Sequence, residues 1–427
     1  MKDADDFRKA EQMHAVILWA AQTGARRRDA DRLKRRPGAG CPPKISSMND
    51  AVATVPASLP IWQFSLTTLN AAIWVGLLLL ALWAGFRMRW GRLVALAAFL
   101  TVDLIAFGAF VRLTDSGLGC PDWPGCYGHF APVQAGSEIN QAIAQQGGTH
   151  GPVSHSKAWI EMVHRYLASF IGALILVMFL RALITHARSS GRSLASAAYP
   201  VSWRWPALLL IVVIAQGLFG KWTVTLKLMP IVVTTHLLGG MLLFALLIWF
   251  WMRERQRAGD NAAMPVHATF GARAVVWLAI AVLVLQIFLG GWVSTNYAVA
   301  ACPDFPGCGG TWTPDVDWST GFVFGRALGR NADGSFLSIE ALRAIHWAHR
   351  IGALVTTLVV VAAAVTLLRN YGALRRQALW IKMALLAQIL VGVGTVLFNQ
   401  PILLATAHNF VAAVLLGTLV TAAARLK

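Results

Sequence analysis

Nine stretches of this chain are apolar for about 20 residues, the length a helix needs to cross the hydrocarbon core of a bilayer. They fall at roughly 64–86, 92–113, 159–186, 204–224, 231–252, 273–294, 343–368, 377–398 and 402–424. Inside hydrocarbon, backbone N–H and C=O groups must be satisfied within the segment itself, so runs of this length are predicted to be α-helices. Composition agrees. The chain is 57% hydrophobic and 13% charged, where a soluble domain carries about 25% charged residues. The predicted class is an all-α integral membrane protein.

The formal net charge is +18, and its placement gives a topology. Arg87, Arg89 and Arg92 lie between the first and second runs, and Arg188, Arg192 and Arg204 between the third and fourth. Arg253, Arg255, Arg257 and Arg273 separate the fifth and sixth, Arg369, Arg375 and Arg376 the seventh and eighth, and Arg425 and Lys427 close the chain. Basic loops stay in the cytoplasm, so loops 114–158 and 295–342 face outward. This pattern is a topology signal and not a nucleic-acid footprint. Residues 1–47 differ from the rest. Arg26-Arg27-Arg28 and Lys34-Arg35-Arg36 suit a mitochondrial transit peptide, but Asp3, Asp5, Asp6, Glu11, Asp29 and Asp31 argue against one, and a bacterial signal peptide is excluded because no apolar run follows the arginines directly. The expectation is a disordered tail or an over-extended start, with Met48 as the initiator. Residues 48–91 then form an extra N-terminal transmembrane helix.

The remaining eight runs contain an internal repeat. Gly108-Ala109-Phe110-Val111 before Cys120 matches Gly290-Gly291-Trp292-Val293 before Cys302. Glu161-x-x-His164-Arg165 matches His346-x-x-His349-Arg350. Ala215-Gln216 with Gly220, Thr223 and Val224 matches Ala387-Gln388 with Gly392, Thr395 and Val396. His236 aligns with His408. Each copy holds four helices, so both insert the same way up. The predicted architecture is two repeated four-helix bundles, 92–257 and 258–427, related by a pseudo-twofold axis along the membrane normal.

The repeat carries the candidate chemistry. His164, His236, His349 and His408 each lie about five residues inside the outward end of a helix, roughly 7 Å below the surface at 1.5 Å per residue. Two imidazoles facing each other across a four-helix bundle suit bis-histidine haem ligation. Zinc fits less well, because the cysteines lie on other segments. His346 is three residues from His349, so either could point inward; the repeat equates His346 with Glu161 and leaves His349 as the ligand. Glu161 shares a helix face with His164, and an acid in a membrane span points to function. Arg165 and Arg350 are candidates to pair with haem propionates, Arg112 and Lys221 weaker ones. His129, His150, His155, His186 and His267 read as loop or helix-end residues.

The two copies of C-P-D-[W/F]-P-G-C, Cys120–Cys126 and Cys302–Cys308, each can close a small ring in an outward, oxidising compartment. A structural staple and a redox role both remain open.

Val111-Arg112-Leu113-Thr114-Asp115-Ser116-Gly117-Leu118-Gly119 and the following C-P-D-W-P-G-C, with Glu161-x-x-His164-Arg165 beyond it, resemble the haem A synthase family over about residues 92–424. The resemblance implies oxidation of the methyl group of haem O to a formyl group by successive hydroxylations, giving haem A for terminal oxidases. It implies that His164 and His236 flank the substrate haem O, that His349 and His408 ligate a haem b cofactor, and that Glu161 is the catalytic acid. It further implies a bacterial inner-membrane protein with periplasmic Cys loops. Its partners would be the farnesyl transferase that supplies haem O, the cytochrome oxidase assembly machinery and an electron acceptor of unknown identity, with membrane lipid around it and a homo-oligomer left open. The first run lies outside the resemblance, and the second cysteine pair is not universal in the family. The alternative reading of the same histidines is a dihaem cytochrome for quinol-linked electron transfer.

Overall fold

The computed structural model of the chain describes residues 75–76, 79–83, 85–148, 151–188, 202–331 and 333–427. The N-terminal tail, the expected start at Met48 and most of the first apolar run lie outside these residues. The described residues are helical apart from loops and isolated two-residue bridges. Among the described residues, eight helices are long and apolar enough to cross a membrane. In chain order the helices are α1 (Trp90–Leu113), α2 (Gly136–Gln145), α3 (His155–Arg188), α4 (Arg204–Thr225), α5 (Pro230–Arg257), α6 (Phe270–Thr295), α7 (Trp318–Gly321), α8 (Ile339–Asn370), α9 (Arg375–Leu397) and α10 (Ile402–Arg425). All but α2 and α7 are the long ones.

The long helices follow the apolar runs, with one consistent difference. α3 and α8 each begin four residues before the run that marks them. Hydropathy registers where a helix enters hydrocarbon, whereas the helix itself starts at its cap. At α8 the cap is Ser338, whose Oγ accepts the N–H of Ala341 at 3.1 Å. The short outer helix α2 has no apolar run to announce it. Its Ile139 packs on Cys120, Cys126, Ala158 and Met162, so the helix exists to close the outer loop over the start of α3.

α1 packs on α3, α3 on α4, α4 on α5, and α5 back on α1. In the second half α6 packs on α8, α8 on α9, α9 on α10, and α10 on α6. The halves meet through α1 with α10, α5 with α6, and α5 with α10. Small residues and aliphatics fill these seams, among them Ala97, Leu247, Ala279, Ala413 and Leu416. A polar tie crosses one of them, where Asn409 Nδ2 donates to the Ile105 carbonyl at 3.1 Å.

Two hairpin turns repeat down to the backbone. Between α4 and α5, Lys227 and Leu228 are left-handed, with φ of 50° and 58°. Between α9 and α10, Asn399 and Gln400 are left-handed, with φ of 55° and 58°. Leu228 N–H reaches back to Thr223 O at 2.8 Å and Gln400 N–H to Thr395 O at 2.7 Å. These bonds satisfy the last carbonyls of each helix, and a proline (Pro230 or Pro401) follows where the next helix begins. Each turn sets the depth of the histidine eight residues beyond its second left-handed residue, His236 after Leu228 and His408 after Gln400.

The candidate haem site and its outer clamp

The two cysteine motifs are built alike. Cys120 and Cys126 form a disulfide, and so do Cys302 and Cys308. All four cysteines are fully buried. Inside the first ring, Asp122 accepts the N–H groups of Tyr127 and Gly128 through its two oxygens. Inside the second, Asp304 accepts those of Gly309 and Gly310, at 2.7 and 2.8 Å. Burial works against the Asp304 carboxylate, but these N–H groups outweigh it and hold its carboxyl below the ordinary value. A Cβ on Gly125 would meet the His129 carbonyl at 2.5 Å, and one on Gly307 the Thr311 carbonyl at 2.7 Å. Glycine is therefore required where the ring closes.

An arginine from the following long helix grips each ring. Arg165 Nη1 donates to the carbonyls of Asp122, Pro124 and Gly125. Arg350 donates to the carbonyls of Cys302, Pro306 and Gly307. Both residues read in the sequence as propionate candidates thus also lock the outer loop to the helix carrying a histidine. The halves differ at the neighbouring position. Arg165 Nη2 also pairs with Glu161 Oε1, and Glu161 Oε2 accepts the Cys120 N–H at 2.9 Å. In the second half the matching residue is His346, which is buried and faces the backbone of Ala298 and Val299. It carries no fixed negative charge.

The four repeat-matched histidines each face a glycine on the neighbouring helix. His164 faces Gly108, His236 faces Gly220, His349 faces Gly290, and His408 faces Gly392. The rings of His349 and His408 lie 6.4 Å apart between centroids, at an interplanar angle of 80°. Two metal–imidazole bonds of about 2.0–2.1 Å, plus the half-width of each ring, span this separation. Nδ1 of His236 and Nδ1 of His408 are buried and have no protein partner, and the same holds for Nδ1 of His346. Among the described residues no group of three His, Cys, Asp or Glu side chains could hold a bare metal ion. The histidine pairs therefore suit an iron whose remaining ligands come with it in a macrocycle, and the residues present fit a haem.

Two glutamines complete the second pair, and sequence reasoning treated neither as a site residue. Gln286 Nε2 lies 2.9 Å from His349 Nδ1 and donates to the His349 carbonyl at 2.9 Å. Gln388 Nε2 lies 3.3 Å from His408 Nε2. Gln388 has a repeat counterpart in Gln216, whereas the position matching Gln286 is Leu104, so no periodic signal marked it. Arg326 was also missed. It lies buried in the second outer loop, where it donates to Asn296 and to the carbonyls of Thr320 and Gly321. Burial pulls its guanidinium down to about 10.

The weaker candidates take other places. Arg112 donates to Tyr297 Oη at 2.9 Å and to the Ser294 carbonyl at 2.8 Å, and so ties the outer ends of α1 and α6 together. Lys221 is exposed. His155 bonds Asn140 and His129 approaches Glu138 in the outer loop. His186 sits at the end of α3, His267 lies in the loop before α6, and His150 lies outside the described residues.

The sequence model of the COX15-CtaA family, described as cytochrome oxidase assembly protein, matches residues 91–420. The chain belongs to this family. The match takes in both disulfide rings, Glu161 and all four histidines. The Heme A synthase of Shewanella oneidensis is 35% identical over 338 residues, which cover 78% of this chain and 95% of that protein. The chain is also similar to the Heme A synthases of Rhizorhabdus wittichii, at 28% identity over 77% of this chain and 91% of that one, and of a Jannaschia species, at 27% over 74% and 83%. As a member of the COX15-CtaA family the chain is a multi-pass membrane protein of cytochrome oxidase assembly.

Proposed function

We propose that this chain is a haem A synthase, oxidising the methyl group of haem O to a formyl group. The observation that carries this reading is an asymmetry within a symmetric frame. Both halves carry two matched histidines and a clamped disulfide ring, but among the described residues only the first half places a buried carboxylate, Glu161, one helical turn from a histidine of its pair, His164. The names of the relatives favour the synthase over a quinol-linked cytochrome, and the same asymmetry speaks against two equivalent relay haems.

In this reading His164 and His236 flank the substrate haem O in a bundle of residues 92–257. His349 and His408 ligate haem b in a bundle of residues 258–427. When bound, haem b supplies a one-electron relay for electrons leaving the substrate. Glu161 holds a negative charge close to His164, fixed by the Arg165 guanidinium and the Cys120 N–H. A carboxylate held in this way stabilises positive charge developing on the substrate carbon and takes up a proton released there. Arg165 and Arg350, at the outer ends of their helices, suit pairing with propionates as well as holding the rings. The rings shut the outer ends of the bundles and keep water from the reacting face.

In this reading the protein lies in a bacterial inner membrane, and the basic alternate loops favour an orientation with its cysteine rings in the periplasm. Haem O comes from a farnesyl transferase and haem A goes to oxidase assembly. Extraction and identification of the haems in the purified full chain tests the reading: haem b together with haem O or haem A supports it, and haem b alone speaks for the quinol-linked cytochrome.

A further inference from the structure

Four glycines mark the internal repeat, and the proposed chemistry makes no use of them. A Cβ built on Gly392 falls 2.7 Å from Cε1 of His408 and 3.1 Å from its Nδ1. On Gly290 it falls 3.0 Å from Cε1 of His349, and on Gly108 3.0 Å from Nε2 of His164. On Gly220 it lies 3.5 Å from Cε1 of His236. Carbon contacts are comfortable at about 3.5–4.0 Å, so the first three positions are too tight for a methyl group and the fourth is ordinary.

The neighbour in each case is the histidine itself. The nearest heavy atoms to the added Cβ at these four glycines, outside the glycine's own helix backbone, all belong to the imidazole. A glycine kept only for close helix packing looks different. Gly291, next to Gly290, faces Thr234 and Leu237 of α5.

We propose that Gly392, Gly290 and Gly108 are positioning residues that set where the haem-ligating imidazoles stand. This rests on the reading of the histidines as ligands. Lacking a side chain, each glycine lets an imidazole approach the backbone of the neighbouring helix closely. The rings are hemmed on other sides too. Gln286 holds His349, Gln388 lies against His408, and Phe107 stacks on His164 with centroids 6.1 Å apart. An added methyl group therefore drives the ring by several tenths of an ångström toward the bundle interior. Metal–ligand distances tolerate only about 0.2 Å. The predicted order of damage is Gly392→Ala first, Gly290→Ala and Gly108→Ala next, and Gly220→Ala last. The first two act on the second-half haem, and Gly108→Ala acts on the first.

The test uses the full chain purified with its haems, read by haem content per polypeptide and by the low-spin signal in visible and electron paramagnetic resonance spectra. Gly392→Ala is expected to lower the retained low-spin second haem by about 10-fold, the loss typical of a disturbed outer shell. A high-spin species that free imidazole returns to low spin is the same result in another form. Gly394→Ala, whose Cβ would make ordinary 3.5 Å contact with Leu404, is expected to keep the wild-type spectrum. If Gly392→Ala does not accumulate in membranes, Gly290→Ala carries the same test. His408→Ala separates the two claims. Should it keep the low-spin signal, the ligand assignment fails. Should it lose the signal while Gly392→Ala and Gly290→Ala retain it, the assignment stands and the glycine inference is overturned. Equal loss in Gly394→Ala also overturns it, by showing that these glycines serve helix packing alone.

Discussion

Glu161 accepts the backbone N–H of Cys120 at 2.9 Å, so the carboxylate beside His164 is held by the disulfide ring that opens the outer loop. Arg165 binds both partners of that contact, the carboxylate on one side and the ring carbonyls on the other. Acid, ring and arginine form one unit. Replacing Glu161 by Gln preserves its size and one acceptor oxygen but removes the charge. The variant is expected to insert and bind haem in both halves, and to accumulate haem O or a partly oxidised product. Chromatography of extracted haems checks this, and a wild-type yield of haem A would reduce Glu161 to a structural anchor.

The arginines predict unequal costs. Arg165 is paired with a buried carboxylate, and removing one partner of such a pair costs about 3–5 kcal/mol in soluble proteins. Arg350 hydrogen-bonds to carbonyls and lies over the Phe305 ring, with no carboxylate in salt-bridge contact, and an unsatisfied carbonyl costs about 1–3 kcal/mol. Arg165→Ala should therefore lower the thermal stability of the purified protein more than Arg350→Ala. Equal shifts in melting temperature would contradict the ion pair as the difference between the halves.

The ligand assignment predicts a split at α8. His408→Ala should remove the low-spin haem b signal with the protein still inserted, and His349→Ala should do the same. His346→Ala should retain a bis-histidine spectrum, since its ring faces the Ala298–Val299 backbone. A lost spectrum in His346→Ala with a normal one in His349→Ala would reverse the roles.

The buried disulfides predict slow chemistry at the thiols. Mild reductant followed by a maleimide should label Cys120, Cys126, Cys302 and Cys308 only after unfolding. Loss of either ring should cost about 2 kcal/mol by loop entropy. Rapid labelling of the native protein would instead favour a redox role.

Topology gives an independent check. A reporter fused after Arg257 should read cytoplasmic, and one inserted near Gln141 should read periplasmic. The opposite result at either place would overturn the orientation drawn from the basic loops.

Much of the frame was legible in the sequence because hydrocarbon allows so few backbone solutions. The long helices announce themselves by run length, and the matched histidines by their repeat spacing. The contacts that complete the site were not legible. Arg165 could be read as an interfacial cation, but its grip on carbonyls some 40 residues away depends on how the outer loop folds back. Gln286 has no repeat counterpart and sits in an apolar run, so periodicity passes over it. Gly108, Gly220, Gly290 and Gly392 stood out as repeat markers, yet only three-dimensional structure reveals that each faces an imidazole. α2 was missed because a short helix packed on a disulfide ring leaves no long apolar run.

The most direct test of the account is to express the chain in bacterial cells that make haem O but have no haem A synthase of their own, and to separate the extracted haems by chromatography. The account predicts haem A with the wild-type chain, and haem O or a hydroxylated intermediate in its place with Glu161→Gln. Haem O unchanged by the wild-type chain, with the protein inserted and carrying haem b, would contradict it.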